Sequence, residues 1–156
     1  MIKRITIGDI RLTFTIARVA KVIGVNSRLD DGRHILMWDF DNTTLEEVKN
    51  ALRKVQSRYF LSDIFILETK KDTNFIAYCF TALDWRRAVE IIASTQGVDW
   101  NFIKYGVYRE RFTLRVSPKD RRVPKKVATL EGYELPNCSV KDLNSWVRYE
   151  TLKGVK

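Results

Sequence analysis

Apolar and polar positions along the chain recur with periods of 2 and 3.6, the marks of strands and helices. The clearest run is His34-Ile-Leu-Met-Trp-Asp-Phe-Asp-Asn42, which predicts a buried strand ending in two carboxylates. Alternation puts Leu36, Trp38 and Phe40 on one face, and Ile35, Met37, Asp39 and Asp41 on the other. Upstream, residues 2–7 and 10–16 alternate as two strands, joined at Gly8-Asp9 by a hairpin turn. Residues 17–25 fit the end of that strand or a short helix equally well. Residues 26–33, with Ser27, Asp30, Asp31 and Gly32, form a loop.

Beyond the acidic strand, Leu45, Val48, Leu52, Val55 and Tyr59 recur at helical spacing. Thr43 or Thr44 is the N-cap, Glu46 and Glu47 suit the first turn, and the helix runs to about Arg58. Residues 63–69 and 74–80 are strands of a hairpin around 70–73. Asp84 caps a second helix with the stripe Trp85, Ala88, Val89, Ile92 and Ala93, ended by Gly97. Residues 102–108 and 111–116 read as two further paired strands. After Ser117 the tail is irregular and basic. Within it, residues 139–152 suggest a short helix anchored by Leu143, Trp146 and Val147.

From residue 34 the order is strand, helix, strand, strand, helix, strand. That predicts an α+β fold with an RRM-like or ferredoxin-like βαββαβ core. Its antiparallel sheet carries helices on one face, and Asp39 and Asp41 stand on the open one. All 156 residues read as one domain. Residues 1–33 give an N-terminal β-hairpin and loop, 34–117 the core, and 118–156 a basic C-terminal extension.

Charge sharpens the choice of partner. With 28 Lys and Arg against 19 Asp and Glu, the net charge is +9. The expected partner is acidic, with nucleic acid ahead of an anionic membrane surface. Hydrophobic residues at 45% and aromatic residues at 12% argue against disorder. One histidine, His34, excludes a two-histidine metal site within this chain, and Cys79 and Cys138 lack metal-ligand spacing. His34 itself is expected at a surface or strand edge. No signal-peptide pattern opens the sequence, and no apolar run nears the roughly 18 residues of a membrane span. A reduced, cytoplasmic setting with no membrane partner is therefore expected.

Two carboxylates on one face raise each other's pKa unless a cation lies between them. Hard oxygen donors of this kind suit Mg²⁺ or Mn²⁺. The plain alternative is a polar strand end facing water. The cluster Lys119, Arg121, Arg122, Lys125 and Lys126 suits phosphate contact.

Residues 34 to about 119 resemble the archaeo-eukaryotic primase superfamily, the primases and primase-polymerases. Its first motif is an apolar strand ending Asp-x-Asp, matched by Asp39-Phe-Asp41. Its second, Ser-x-His at the hairpin, falls on Thr69-Lys70-Lys71, so the histidine is missing. Its third, an apolar residue and Asp, is matched by Val98-Asp99. A basic strand often follows, and residues 112–119 have that character. The resemblance implies a small primase-like nucleotidyltransferase of DNA replication, in a plasmid or virus. Asp39 and Asp41 would be its catalytic acids and, with Asp99, its ligands for Mg²⁺ or Mn²⁺. Lys70, Lys71, Arg115 and Lys119 would neutralise phosphates of a nucleoside triphosphate, and the tail would grip single-stranded DNA.

Two other readings use the same residues. Asp39-Phe-Asp41-Asn-Thr43 resembles the opening motif of the haloacid dehalogenase superfamily, which implies a phosphatase with Asp39 as nucleophile. That fold requires parallel strands. The third reading is a non-catalytic single-stranded nucleic-acid binder stacking bases on Phe75, Tyr78 or Phe80. Alternation separates Phe75, Ala77 and Cys79 from Ile76, Tyr78 and Phe80, so at most one set is free to stack.

Overall fold

The computed structural model describes residues 2–119 and 122–153. Two strands open it, β1 (Ile2–Ile7) and β2 (Ile10–Thr15), joined at Gly8 with φ +57°. They form a two-stranded sheet of their own, as expected. Residues 17–25, whose pattern suits helix and strand alike, belong to β3 (Arg18–Asn26).

The acidic strand is β4 (His34–Asp41), followed by helix α1 (Leu45–Tyr59). Thr44 caps α1 and forms a capping box with Glu47. The Thr44 hydroxyl accepts from the Glu47 N–H, while the Glu47 carboxylate accepts from the Thr44 N–H. Strands β5 (Ile64–Lys70) and β6 (Asn74–Leu83) make the expected hairpin. Helix α2 (Trp85–Ser94) starts at its Asp84 cap. It stops before Gly97, because Thr95 turns extended. The Thr95 hydroxyl donates to the Ile91 carbonyl and accepts from Trp38 Nε1 at 2.9 Å.

Four expectations fail beyond this point. Residues 102–108 are not a strand but part of helix α3 (Trp100–Tyr108). Its aromatic and β-branched residues mimic strand alternation, yet the inward positions are Phe102, Ile103 and Gly106, spaced as on a helix. Asp99 caps this helix, its carboxylate accepting from the Phe102 N–H at 2.8 Å. Residues 111–116 hold only β7 (Thr113–Arg115), which pairs with β3 instead of with 102–108. The tail is not wholly irregular: β8 (Lys125–Leu130) pairs with β5, giving that sheet a fourth strand. Residues 139–152 hold a single 3-10 turn, Val140–Asp142, and then β9 (Trp146–Lys153), which lies along β3.

The fold is thus α+β, and every strand pairing among the described residues is antiparallel. The larger sheets run β4-β6-β5-β8 and β7-β3-β9. Leu36, Trp38 and Phe40 share a face with Phe75, Ala77 and Cys79, and all six are buried. That face packs on α1 and α2 through Val48, Leu52, Val55, Ala88 and Ile92. The opposite face carries Asp39, Asp41, Ile76, Tyr78, Phe65 and Leu67. It is not open. Val25 and Arg115 of the second sheet line a cavity together with Phe65, Leu67 and Tyr78. Both sets on β6 are therefore largely enclosed, one under helices and one under the second sheet.

His34 is buried rather than at the surface. Its Nδ1 shares a 2.9 Å hydrogen bond with the Ser27 hydroxyl, and its ring lies 4.8 Å from that of Trp85. Burial, helped by the charge of Arg28, holds its pKa below the usual value.

Candidate functional site

Strand β4 delivers the acids. Asp39 is half-buried and Asp41 exposed, both on the face turned towards the second sheet. In register with Asp41 stands Asn74, whose Nδ2 donates to the Asp41 carboxylate. The Asn74 side-chain oxygen in turn accepts from the Thr73 hydroxyl at 2.8 Å. Asp41 is therefore oriented by the β5–β6 hairpin.

Strand β4 is the edge of its sheet. At that edge the N–H of Asp99 donates to the Asp39 carbonyl at 2.8 Å. The third sequence-predicted acid thus lies beside the first. One oxygen of Asp99 is committed to the α3 cap through the Phe102 N–H.

Asp39 forms the wall between two hollows. One, of about 350 Å³, holds Asp39 and Asp41 together with Lys70, Arg115, Lys119 and Arg122. The other, of about 240 Å³, holds Asp39 and Asp99 with Tyr105, Arg109 and Arg111. Burial raises the Asp39 pKa to about 7, with Asp41 and Asp99 adding to the rise and Arg115 opposing it. Asp39 at neutral pH is thus poised between its two protonation states, because burial and two neighbouring acids outweigh one nearby guanidinium.

Two short strands bring the cations. Arg115 ends β7, and its Nη1 donates to the carbonyls of Ser117 and Arg122 at 2.9 and 3.1 Å. Those bonds tie Ser117 and Arg122 back to the sheet. Lys119 and Arg122 close that segment by exchanging backbone hydrogen bonds at 3.0 and 2.9 Å.

The other predicted phosphate contacts lie elsewhere. Lys71 lies in the turn after β5 and does not line the acid hollow. Lys125 and Lys126 are exposed on β8, with two strands between them and β4, roughly 14 Å at the usual strand spacing. Lys126 Nζ stands 5.9 Å from the centre of the Phe65 ring. These two lysines make a separate basic edge. Arg121 lies outside the described residues.

Sequence reasoning missed Asn74, Tyr149, Arg109 and Arg111. Asn74 stands opposite Asp41 through the β4–β6 pairing, which the β5–β6 hairpin alone does not reveal. Tyr149 carried no local signal, since it reaches the site only because β9 pairs with β3.

The donor set fits a hard divalent cation: carboxylate oxygens supply it, and His34 and Cys79 are buried away from it. Asp41 and Asp99 both oppose ionisation of Asp39, and a cation beside the carboxylates would relieve that opposition. Among the described residues no three His, Cys, Asp or Glu side chains converge as a ligand set; Asp39 shares one hollow with Asp41 and the other with Asp99.

No family model matches the chain, and no curated protein or solved structure does either. No helix among the described residues is long and apolar enough to cross a membrane.

Proposed function

We propose that this protein is a primase-like nucleic-acid-binding protein that performs metal-dependent nucleotidyl transfer at Asp39 and Asp41. The observation that carries the reading is the meeting, in one hollow, of two adjacent strand carboxylates with Lys70, Arg115, Lys119 and Arg122. Such a hollow has acids for a divalent cation on one side and cations for phosphates on the other. Asp99, on the far side of Asp39, adds the third acid of the primase pattern.

The order β4, α1, β5, β6, α2, with β6 between β4 and β5, supports an RRM-like core. The last strand expected for that pattern, 102–108, is helix α3, and the edge of β4 carries the Asp99–Asp39 backbone bond instead.

In this reading Asp39 and Asp41 would hold Mg²⁺ or Mn²⁺, which would supply charge neutralisation for the triphosphate. Arg115, Lys119 and Arg122 bind phosphate oxygens and orient the chain. A sugar 3′-hydroxyl gives its proton to water, its oxygen bonds to the α-phosphorus, and the bond to the departing pyrophosphate breaks. Asn74 fixes the Asp41 carboxylate and so spares ordering cost on binding. The exposed Lys125 and Lys126 edge contacts single-stranded nucleic acid beyond the hollow.

A second reading, binding without catalysis, is favoured by one observation: the hairpin place of the family's histidine holds Thr69-Lys70-Lys71. The phosphatase reading loses support, because β4 pairs antiparallel with β6 and no parallel sheet surrounds Asp39 among the described residues.

The test is incorporation of labelled nucleotides on single-stranded DNA with Mn²⁺, for wild type and Asp39→Ala, alongside DNA binding across a salt series. Turnover lost in Asp39→Ala supports transfer. Salt-dependent binding with no incorporation by wild type leaves the binder. Hydrolysis of a phosphomonoester that requires Asp39 would restore the phosphatase.

A further inference from the structure

We propose that the cavity between the two sheets encloses the base of a single bound nucleotide, whose phosphates lie in the adjoining acidic and basic hollow. This rests on the nucleotide-handling reading above. It goes beyond it in giving the base a protein pocket that needs no template strand.

The cavity is about 520 Å³, within the roughly 300–1,000 Å³ of small-molecule sites. Its walls are flat and apolar: Phe65, Tyr78 and Phe80 from one sheet and Trp146 from the other, with Leu67 and Leu143 between them. The rings of Phe65 and Phe80 meet edge to face at 6.0 Å. Aromatic walls accept the face of any base.

Charge defines the other end of the ligand. Arg115 lines both this cavity and the hollow that holds Asp39, Lys70, Lys119 and Arg122. A molecule spanning the two therefore needs a planar apolar body and an anionic end. A nucleoside phosphate has both. A fatty acid has the anion without the plane.

Tyr78 supplies the independent observation. It is 8% exposed, and its buried hydroxyl has no hydrogen-bond partner among the described residues. Asp39 and Arg115 are its charged neighbours. The other polar groups of the wall are engaged. The Asp63 carboxylate accepts from the Gly132 N–H at 2.8 Å, and the Ser139 hydroxyl donates to the Asp142 carboxylate at 3.0 Å. Cys138 Sγ donates to the Phe80 carbonyl at 3.1 Å. The Tyr78 hydroxyl itself is shut off from the cavity that its side chain lines, so a base edge or a sugar hydroxyl satisfies it only once the ring shifts towards that space.

The experiment is calorimetric titration of ATP, GTP, CTP and TTP into the full chain, with EDTA present and no DNA. Binding is expected, with discrimination among the four bases. Tyr78→Phe should weaken the preferred nucleotide by about 3- to 10-fold, the worth of one hydrogen bond. Val140→Trp fills the cavity from an exposed turn and should reduce binding at least as much, with unfolding temperature as the folding control. Asp39→Asn should abolish incorporation yet keep metal-free nucleotide binding. Equal affinity for all four bases, unchanged by both cavity variants, overturns the proposal and leaves the acid site untouched. So does binding of palmitate in place of nucleotides, or no nucleotide binding at all. Base-selective binding without any incorporation by wild type upholds the pocket while the transferase reading fails.

Discussion

The N–H of Asp99 donates to the carbonyl of Asp39 at 2.8 Å, across the outer edge of β4. That bond joins the cap of α3 to the end of the acidic strand. It brings a third carboxylate near Asp39, one that adds to the rise in the Asp39 pKa which burial begins.

The first consequence is a pH dependence of stability. The Asp39 pKa is raised from its ordinary 3.8 to about 7 on folding. Between those values the native state holds a proton that the unfolded state has lost. Stability therefore falls as pH rises through that window and levels off above it. Asp39→Asn should raise the melting temperature at pH 8 by roughly 4 °C or more and leave it nearly unchanged at pH 3.5, the scale of 1–2 kcal/mol for a chain of this size. Thermal melts of the two proteins across that range check this, and a parallel decline in both would remove the assignment.

Divalent cations should act on the same group. Mn²⁺ or Mg²⁺ is expected to raise the wild-type melting temperature at pH 8, more weakly at pH 5 where protons compete, and not in Asp39→Asn. An equal shift in wild type and variant would assign the ion to another place.

The basic residues fall into two groups, and their variants should separate. Changing Lys125 and Lys126 to Ala should lower single-stranded DNA affinity and reduce the salt slope by roughly 1–1.5, at about 0.7 per phosphate contact. Nucleotide affinity should stay as it was. Arg115→Gln should weaken nucleotide binding as well, because Arg115 faces Asp39 and the cavity. Fluorescence anisotropy with labelled oligonucleotide and with labelled nucleotide distinguishes the two.

Gly106 couples packing to the site. A Cβ there would meet the Phe112 ring at 2.4 Å, although the residue is helical and alanine favours helices. Gly106→Ala should cost about 1–3 kcal/mol by overpacking and push α3, with its Asp99 cap, away from β4. Adding Phe112→Leu should recover part of that loss. A double-mutant cycle by urea unfolding measures the coupling, and additive losses would count against this contact.

The N-terminal hairpin should behave as a separate unit. Ile5, Ile7, Ile10, Leu12 and Phe14 share one of its faces and are exposed. A lone two-stranded hairpin is marginal in water. Amide exchange in residues 2–15 should be fast beside that in β4 and β6, and deleting these residues should move the main melting transition by less than about 3 °C.

Much of the fold is readable in the sequence because its signals are local. Thr44 with Glu47, and Asp84, announce their helices through caps that act within one turn. The alternation of 34–41 tells which side chains share a face, so the pairing of Asp39 with Asp41 follows from the strand period alone. Val98-Asp99 stands out by pattern, but its cap role and its bond to Asp39 do not, because 102–108 has the composition of a strand and only the buried face of Phe102, Ile103 and Gly106 resolves it as a helix.

What the chain order could not decide was pairing across long separations. Strand β3 takes β9 as a neighbour, bringing Val25 opposite Trp146 and Val22 opposite Tyr149. Strand β8 finds β5, and β7 pairs with β3 instead of with 102–108. Backbone groups pair alike whatever the side chains, so a free strand edge accepts the partner that buries most apolar surface, and that depends on the assembled whole. Local sequence determined the acidic strand and its helices. Tertiary structure alone put a second sheet over those acids, brought Arg115 and Tyr149 to them, and made a cavity where an open surface was expected.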